Sequence, residues 1–524
     1  MKRALFSVTD KNGIEDFAKG LLRLFPNLEI IASGGTAAAL EKGGIPHISI
    51  SAVTQFPECF GGRVKTLHPA ILGGILYRRG IDDEEARRLN IEPIDLIVCN
   101  FYSFNPNKKR EELADSIDIG GSSMVRAACK NFSSVAIVVN PNDYLILLEE
   151  LEKGSLSLET RERLAVQAIK MSAAYEAKIA DAFDRDSLSF RLEKERKLSY
   201  GENPDQEGWV YSFAGEEGVS SAKVLGGKPL SYNNYEDASQ AFYALQRIEQ
   251  MCGVAIVKHG SLCGFATGKT LKRAFQKAWE GDGKSAYGSI VAFSKEVGEE
   301  FCEELKSRFV EVLLAPSFSP AFLAWTAKEK PSLRLLQVRL DAVSPCHYRS
   351  ISGGMLVQTP KKDLFSSLER YLQPLVSGEG KIGVATKRQP KRGQEGLFHF
   401  AIAAVQSVKS NAIVLVREYE PSFYQLIGAG GGQPNRVDSL QRLAIPKAIE
   451  NLKKEGSDLQ HELGQLVLAS DGFFPFADSI TAAAELGIQI VLQPGGSVRD
   501  EEVIQEADRR DLCMIFTGQR YFNH

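Results

Sequence analysis

Short apolar strands that alternate with amphipathic helices are the feature that most constrains how this chain can fold. In the first 140 residues, the apolar runs at 4–8, 28–32, 94–99 and 135–139 predict strands. After the first of them, Ile14, Phe17 and Leu21 repeat at helical spacing. Strands separated by helices form parallel βαβ units, whose ligands bind at the carboxyl ends of the strands. The sequence therefore predicts an α/β fold with a parallel sheet.

The same alternation continues beyond a long helical stretch at 155–186. The charge run at 191–197 predicts a solvated linker or a helix face. We therefore expect a domain at 1–190, a linker at 191–198 and a larger α/β domain at 199–524. A charged loop with a proline at 387–392 predicts two subdomains in the larger part, with a break near 385–395. Its predicted strands are 254–257, 290–293, 311–314, 411–416, 466–469, 488–492 and 514–516.

The composition describes a globular protein of enzyme size. The 524 residues include 63 Lys and Arg against 66 Asp and Glu, and 44% are hydrophobic. A charge balance so close to zero argues against a polybasic nucleic-acid binder. No apolar run approaches the roughly 18 residues of a membrane span, and the first residues do not resemble a signal peptide. We expect a cytoplasmic protein with small-molecule substrates and neither nucleic-acid nor membrane partners.

Cysteine and histidine spacing argues against a metal site. The eight cysteines include no Cys-x-x-Cys pair, and the seven histidines are dispersed. This pattern favours reduced thiols over a disulfide framework or a zinc site. The sequence predicts no bound metal.

Two motifs of the first domain have the residue types of an anion site. Residues 33–36 (Ser-Gly-Gly-Thr) join a predicted strand to a helix, where free N–H groups can bind an anion. The other interpretation is a tight turn with a helix cap. In 61–69 (Gly-Gly-Arg-Val-Lys-Thr-Leu-His-Pro), two cations and a hydroxyl follow a Gly-Gly turn. This stretch is either a phosphate clamp or a plain surface loop.

The second domain has a strand that ends in a cation and an imidazole, Lys258 and His259. A Lys-His pair at the carboxyl end of a buried strand is a catalytic candidate. Adjacent strand residues point to opposite faces, so both can serve one site only if the strand twists or bulges there. Asn411 opens another predicted strand and is either a turn residue or an orienting group. The aromatic run at 473–476 is either core or a ligand surface.

These motifs resemble a known family, the aminoimidazolecarboxamide ribotide (AICAR) transformylase fused to inosine monophosphate (IMP) cyclohydrolase. The resemblance spans essentially the whole chain. In the first domain it is carried by 7–11, 33–36, 61–69, 118–121 and 127–131. In the second it is carried by 200–204, 230–234, 254–260, 285–288, 352–354, 436–439, 470–476, 493–500 and the closing 516–524.

The resemblance implies a methylglyoxal-synthase-like first domain, the cyclohydrolase, and a second domain of two cytidine-deaminase-like subdomains without zinc, the transformylase. It implies a formyltransferase that uses 10-formyltetrahydrofolate as cosubstrate to convert AICAR to its formyl derivative FAICAR. It also implies a cyclohydrolase, a hydrolase acting on a cyclic amidine, that closes FAICAR to IMP. No catalytic metal and no redox cofactor are implied. Members of the family are homodimers in which residues of both subunits form each transformylase site.

The site residues follow from the matched motifs. In the first domain the resemblance assigns catalysis to Lys65, Tyr102, Asp118 and Lys130, and nucleotide binding to Ser7, Lys11, Ser33, Gly34, Gly35, Thr36, Arg63, Thr66 and Gly120. Without it, Tyr102 reads as a strand-end aromatic and Asp118 as a helix cap. In the second domain it assigns catalysis to His259, Lys258 and Asn411, and binding to Tyr200, Asn234, Gly288, Arg436, Phe473, Pro475, Phe476, Asp478 and Arg520.

The chain departs from the family pattern only in the transformylase half. Ser199 replaces an arginine expected at the phosphate, for which Arg196 or Lys197 could substitute. The other departures are Asp205 for histidine, Ser261-Leu262 for Asn-Pro, and Gly431 for alanine, which is expected only to loosen the backbone. Two alternatives follow, a chain with only the cyclohydrolase working and a non-catalytic nucleotide sensor. A dinucleotide-dependent dehydrogenase is disfavoured because Gln433 occupies the third glycine position after Gly428 and Gly430.

Overall fold

The computed structural model describes residues 1–32, 34–57, 59–102, 104–184, 186–213, 215–248, 251–360, 365–375, 382–456 and 458–524. The chain divides into two units, Met1–Arg191 and Leu192–His524. Each unit has its own sheet and its own apolar cores. Within the described part of the chain, no helix is long and apolar enough to cross a membrane.

The first unit is a five-stranded, wholly parallel sheet of order β3-β2-β1-β4-β5. Its strands are β1 (Arg3–Ser7), β2 (Glu29–Ala32), β3 (Ile48–Ser49), β4 (Leu96–Cys99) and β5 (Ala136–Val138). Its helices are α1 (Ile14–Leu24), α2 (Gly34–Lys42), α3 (Ile50–Thr54), α4 (Pro69–Leu76), α5 (Asp83–Arg88), α6 (Arg110–Asp115), α7 (Ile119–Lys130), α8 (Tyr144–Glu152) and α9 (Leu158–Phe183).

The strands of this sheet are short and almost wholly buried because helices cover both faces. Two separate apolar clusters flank the sheet, one around Phe6, Phe17 and Leu147 and the other around Ile97 and Met124. Fully buried parallel strands appear in a sequence as continuous apolar runs, which is how these strands were predicted.

The second unit contains a twelve-stranded mixed sheet of order β16-β21-β20-β19-β17-β18-β10-β9-β11-β12-β13-β8. Two hairpins lie outside it, β6 with β7 and β14 with β15. The strands are β6 (Leu192–Lys197), β7 (Trp209–Phe213), β8 (Lys223–Gly226), β9 (Gly253–Lys258), β10 (Ser261–Thr267), β11 (Ser289–Phe293), β12 (Val310–Ala315), β13 (Arg334–Gln337), β14 (His347–Ile351), β15 (Gly354–Gln358), β16 (Ile382–Val384), β17 (Ile413–Glu420), β18 (Phe423–Gly430), β19 (Val467–Ser470), β20 (Ile490–Gln493) and β21 (Cys513–Thr517).

The described residues of this unit also form ten α-helices, and a π-helical turn at Ser439–Ala444 joins two of them. They are α10 (Tyr232–Gln246), α11 (Leu271–Gly281), α12 (Glu300–Lys306), α13 (Pro320–Glu329), α14 (Glu395–Val405), α15 (Arg436–Asp438), α16 (Ile445–Glu455), α17 (Leu459–Gln465), α18 (Asp478–Glu485) and α19 (Asp500–Arg509).

The predicted α/β fold and parallel sheet are confirmed, and each predicted strand overlaps an observed one. The prediction for the charge run differs from the structure, because residues 192–197 form strand β6 rather than a linker or a helix face. Its side chains are almost all exposed, and its backbone pairs with β7. The break near 385–395 stays a prediction, since the strands on either side of it belong to one continuous sheet.

Candidate functional site

The loops after β1, β2 and β4 meet at one edge of the first sheet. These three strands are adjacent and parallel, with β1 between the other two. The chain proceeds from β1 to one side of the sheet and later returns to the other, so this edge is a topological switch point, where α/β sheets bind their ligands. Ser7 ends β1 there, and the side chain of Asn100 holds the following loop by accepting from the N–H groups of Thr9 and Asp10 at 2.6 and 3.0 Å.

Two lysines converge on the N-terminus of α2. A Cβ built on Gly34 would lie 3.4 Å from Nζ of Lys65, and one built on Gly35 would lie 3.6 Å from Nζ of Lys11. The left-handed φ of Gly34, +44°, and the missing Cβ atoms give the ammonium groups this close approach. Free N–H groups at a helix N-terminus and two cations together form an anion site.

The 33–36 motif begins with Ser33 and ends with Thr36. Ser33 lies outside the described residues. Thr36 is buried, and its hydroxyl donates to the carbonyl of Val8 at 3.1 Å and accepts from the N–H of Val8 at 3.0 Å. The Thr36 hydroxyl therefore ties α2 to the end of β1 rather than facing the anion site.

Asp118 lies beside Lys65 at the start of α7. Its carboxylate caps the helix by accepting from the N–H of Gly121 at 2.7 Å, and it also accepts from the backbone of Tyr102. Burial raises the pKa of Asp118, although these hydrogen bonds and the charge of Lys65 oppose the rise. Tyr102, whose ring is exposed, is held next to Asp118 through its backbone.

The 61–69 motif, which the sequence suggests as a phosphate clamp, lies only partly beside Asp118 and the first turn of α7. Thr66 is buried, with its Oγ1 2.4 Å from where a Cβ on Gly120 would lie, so it packs on the first turn of α7. Arg63 is exposed and pairs with Asp115, a carboxylate that the motif does not reveal.

Lys130 is not brought close to Asp118 within one chain. It ends α7, whereas Asp118 caps its beginning, and a 12-residue helix rises by about 18 Å. Lys130 instead borders an apolar groove of about 720 Å³ between α4, α7 and α9.

In the second unit, the candidate residues share one edge of the large sheet. The register pairs the carboxyl ends of β9, β18 and β19 with the amino ends of β10, β11 and β17. The carboxyl ends of β20 and β21 lie at the same edge, because these strands run parallel to β19. Residues that are far apart in the chain therefore lie at strand ends, or just beyond them, at this edge. Lys258, Asn411 and Arg520 are among them.

His259 lies in a hairpin turn and not in the strand. Lys258 pairs with Ser261, so His259 and Gly260 form the two-residue connection from β9 to β10. Because His259 lies in the turn, its side chain does not have to point to the face of the sheet opposite that of Lys258. The two neighbouring residues can therefore serve one site. Nζ of Lys258 donates to the carbonyl of Tyr287 at 2.5 Å and lies 3.7 Å from where a Cβ on Gly288 would be.

The segment that precedes Asn411 contacts this turn through Lys409. Nζ of Lys409 is 3.4 Å from where a Cβ on Gly260 would lie, so the segment leading to Asn411 contacts the hairpin. Nδ2 of Asn411 donates to the carbonyl of Gln433 at 2.9 Å, and the carbonyl of Asn411 accepts from the Ser439 hydroxyl at 2.6 Å. Asn411 precedes β17 by two residues and is held at both its backbone and its side chain.

The guanidinium groups of Arg436 and Arg520 both lie close to one aromatic ring. Their guanidinium carbons are 5.5 and 5.0 Å from the centroid of Phe522. Nε and Nη2 of Arg436 also donate to Oδ1 of the fully buried Asp471, at 3.1 and 3.0 Å. The structure therefore gathers two cations around Phe522, and Asp471 orients one of them. Asp471 also accepts from the hydroxyl of Ser410, the residue before Asn411.

The aromatic run at 473–476 is divided between core and surface. Phe474 is buried in the core, Phe473 is half-buried, and Pro475 and Phe476 are exposed. The guanidinium of Arg499 lies 4.8 Å from the centroid of the Phe476 ring. Asp478, also exposed, begins α18.

Tyr200 and Asn234 lie near the start of α10. Tyr200 is partly exposed, whereas Asn234 is buried, with its Oδ1 in the capping box and its Nδ2 donating to Glu311 at 3.0 Å. The two basic residues proposed to replace the arginine missing at Ser199 have other partners. Arg196 donates to the carbonyl of Ala222 at 3.4 Å, and Lys197 pairs with Glu207 at 2.6 Å.

Sequence reasoning missed Asn100, Lys409 and Asp471. Asp471 lies inside the quoted 470–476 motif, directly after an apolar strand, and this position could have identified it. Asn100 also follows an apolar strand, β4. Nothing local distinguishes Lys409, whose position depends on a hairpin about 150 residues earlier in the chain.

Comparison with known proteins covers the whole chain. The family model described as "AICARFT/IMPCHase bienzyme" matches residues 128–447, and that described as "MGS-like domain" matches residues 13–123. Proteins called "Bifunctional purine biosynthesis protein PurH" from Streptococcus gordonii, Halalkalibacterium halodurans and Persephonella marina are 40%, 41% and 39% identical, each over 100% of both chains. The solved "Crystal structure of ForH" is 36% identical and covers 35% of this chain and 98% of its own, with a TM-score of 0.33. The full-length identity and the family match together show that this chain belongs to the AICARFT/IMPCHase bienzyme family.

Proposed function

We propose that the two activities of this bifunctional purine-biosynthesis enzyme lie at the two sheet edges described above. The first unit would close FAICAR to IMP, and the second would transfer the formyl group from 10-formyltetrahydrofolate to AICAR. The observation that carries the proposal is that each unit has most of its own candidate groups at one edge of its own sheet, with Lys130 as the exception. Formyl transfer by the chain as a whole follows from the family, and the assignment of residues is our proposal.

In the first unit, the N-terminus of α2 with Lys11 and Lys65 would bind the ribotide phosphate. Ser7 and Arg63 border the same edge. Ring closure is intramolecular, since the amide nitrogen attacks the formyl carbon and water is then lost. Holding the two groups close together supplies much of the acceleration.

Proton transfer in this reaction would fall to Asp118 and Tyr102. A carboxyl whose pKa is raised by burial exchanges protons nearer to neutral pH than an exposed one. Lys65, beside it, would stabilise the oxyanion that forms on the formyl oxygen. Lys130 has no place in this scheme within one chain, because it lies at the far end of α7.

In the second unit, His259 would remove a proton from the AICAR amine as that nitrogen attacks the formyl carbon. Lys258 would stabilise the tetrahedral oxyanion, and Asn411 would orient the formyl group. The bond to the folate nitrogen then breaks, and that nitrogen takes up a proton. Arg436 and Arg520 suit the ribotide phosphate, and Tyr200, Asn234 and Gly288 would bind the rest of the ribotide. The folate would contact the surface formed by Phe473, Pro475, Phe476 and Asp478.

We also propose that the enzyme acts in the cytoplasm as a homodimer with shared transformylase sites. Membership of the family supports this assembly. Several apolar side chains of the β14–β15 hairpin are exposed, among them Ile351 and Leu356, as is usual for surfaces that pair with another chain.

Reciprocal variants of the full chain test the assignment of the two sites. His259→Ala should lower formyl transfer about 10²- to 10⁴-fold, the usual contribution of a general base, and leave the closure of supplied FAICAR unchanged. Lys65→Ala should do the reverse. The two reactions are measured separately, as tetrahydrofolate release and as IMP formation. Lys153→Ala and Lys269→Ala, which alter exposed lysines of the two units, serve as controls.

The assignment would be wrong if either active-site variant lost both activities while it remained folded by circular dichroism. It would also be wrong for His259 if His259→Ala transferred formyl groups at the wild-type rate. Wild-type protein that closes FAICAR but forms none from AICAR would support the alternative of a cyclohydrolase alone.

A further inference from the structure

The turn that carries His259 has a backbone conformation that histidine does not readily adopt. His259 and Gly260 have φ values of 52° and 68°. A two-residue type I′ hairpin turn requires left-handed φ at both central positions. Glycine adopts this conformation freely, whereas the Cβ of histidine disfavours it. The surrounding structure must therefore hold His259 in place.

Asp237, from helix α10, makes the contacts that do so. The N–H of His259 donates to Oδ2 of Asp237 at 3.0 Å, and the N–H of Gly260 donates to Oδ1 at 2.5 Å. Hydrogen bonds to an ionised carboxylate are roughly twice as strong as neutral ones. Asp237 is only 8% exposed, whereas the His259 side chain is exposed. The carboxylate thus binds the backbone of the turn and leaves the imidazole facing outward.

Helix α10 is itself fixed with respect to this edge of the sheet. Its N-terminus is closed by a capping box of Ser231 and Asn234, and Nδ2 of Asn234 donates to Glu311 on β12 at 3.0 Å. Asp237 follows Asn234 by three residues, so both side chains lie on the same face of the helix. A rigid element therefore presents the carboxylate to the turn.

We propose that Asp237 is a positioning residue for formyl transfer, which fixes the left-handed His259-Gly260 turn and so aims the imidazole at the substrate amine. This inference rests on the proposed role of His259 as the base. A base must lie within hydrogen-bond reach of the proton it removes, and an error of about 1 Å can reduce the rate about 10²-fold. Asp237 acts on the position of His259 and does not touch the substrate.

The test uses Asp237→Asn and Asp237→Ala in the full-length chain. An amide oxygen can replace one acceptor of the carboxylate but not both, so we expect both variants to lose kcat for formyl transfer. The alanine variant should lose about 10²-fold. The KM for AICAR should change little, because the proposed phosphate groups are elsewhere. FAICAR closure by the same preparations should be unchanged.

The chain offers a matched control in Asp458. Oδ1 of Asp458 accepts from two backbone N–H groups, of Gln460 and His461, at 3.1 and 3.3 Å, as the N-cap of α17. Helix α17 leads into the amino end of β19, which is at the opposite edge of the sheet from His259. Asp458→Asn should therefore leave both activities at the wild-type level.

A double-variant cycle separates positioning from a general structural role. If Asp237 acts through His259, then Asp237→Ala should cause no further loss in a His259→Ala background, because coupled residues are non-additive. An equal fold-loss in both backgrounds would overturn the proposal, as would wild-type kcat in both Asp237 variants. Wild-type formyl transfer by His259→Ala alone would instead overturn the proposed function, so the two failures are distinguishable.

Discussion

At the scale of single residues, one buried carboxylate holds an arginine that we propose binds the ribotide phosphate. Asp471 is fully buried, and its Oδ1 holds Nε and Nη2 of Arg436. A guanidinium has five N–H donors, so this pairing leaves others to bind a phosphate. Ser410 donates its hydroxyl to the other oxygen of Asp471 at 2.5 Å. One carboxylate thus organises both the arginine and the segment that precedes Asn411.

The raised pKa of Asp118 leads to a prediction of how the stability of the first unit changes with pH. Its pKa is raised above the ordinary range because burial outweighs the hydrogen bonds and the nearby Lys65. A carboxyl with a raised pKa favours folding while it is protonated, and that contribution is lost as the pH rises from its unfolded value of about 4 through the folded value. Asparagine does not titrate. The melting temperature of Asp118→Asn minus that of the wild type should therefore increase between pH 4 and pH 7.

Calorimetry of the first unit's unfolding transition measures this difference, and FAICAR closure should fall in the same variant. A difference that shrinks as the pH rises would contradict a raised pKa at Asp118.

At the scale of elements, Gly431 shows how a close approach of two segments constrains a residue. The departure from alanine at this position was expected only to loosen the backbone, and the structure shows this interpretation to be wrong. A Cβ at Gly431 would lie 2.4 Å from the carbonyl oxygen of Lys409 and 2.6 Å from Cγ1 of Val408. Glycine is needed here because the end of β18 packs directly on the segment that carries Asn411.

We therefore predict that Gly431→Ala, a change toward the family pattern, is harmful in this chain. Backbone at 2.4 Å cannot move aside as a flexible side chain does, so Lys409 and Asn411 must shift. Overpacking of this kind costs about 1–3 kcal/mol. Formyl transfer and the melting temperature of the second unit should both fall, while FAICAR closure should not change. Gly432→Ala tests a neighbour with open space around its Cβ, although its φ of +67° adds strain of its own. A fully active and stable Gly431→Ala variant would contradict this prediction.

Pairing with a later strand also explains why the sequence does not predict β6. Residues 192–197 are charged and lack the alternation of apolar and polar residues that indicates a half-buried strand. Their strand conformation comes from pairing with β7, and no local pattern reveals a partner more than ten residues away. The aromatic run at 473–476 has a related ambiguity, because only the packing of Phe474 distinguishes the core ring from its exposed neighbours.

At the scale of the whole molecule, the α/β fold could be predicted because buried strands are apolar runs in the sequence itself. The approximate positions of candidate residues followed from strand ends, as for Lys258. What could not be predicted were contacts between distant segments, such as Asp237 with His259 or Arg63 with Asp115, because these depend on tertiary packing. The separation of Lys130 from Asp118 is different, since the length of one helix could have revealed it.

Separate apolar cores in the two units lead to a prediction for the whole chain. Phe17 is buried in the first unit and stacks on Tyr144 with ring centroids 4.3 Å apart. Phe293 is buried in the second unit, 4.9 Å from the ring of Phe301. Truncating a buried phenylalanine to alanine costs about 3–5 kcal/mol, or roughly 10 °C of melting temperature for the first unit and roughly 6 °C for the larger second unit. Phe17→Ala should therefore lower the temperature at which FAICAR closure is lost and leave that of formyl transfer unchanged, and Phe293→Ala should do the opposite. Residual activities after brief heating measure both temperatures, and a joint loss of the two activities in both variants would mean that the chain unfolds as one cooperative body.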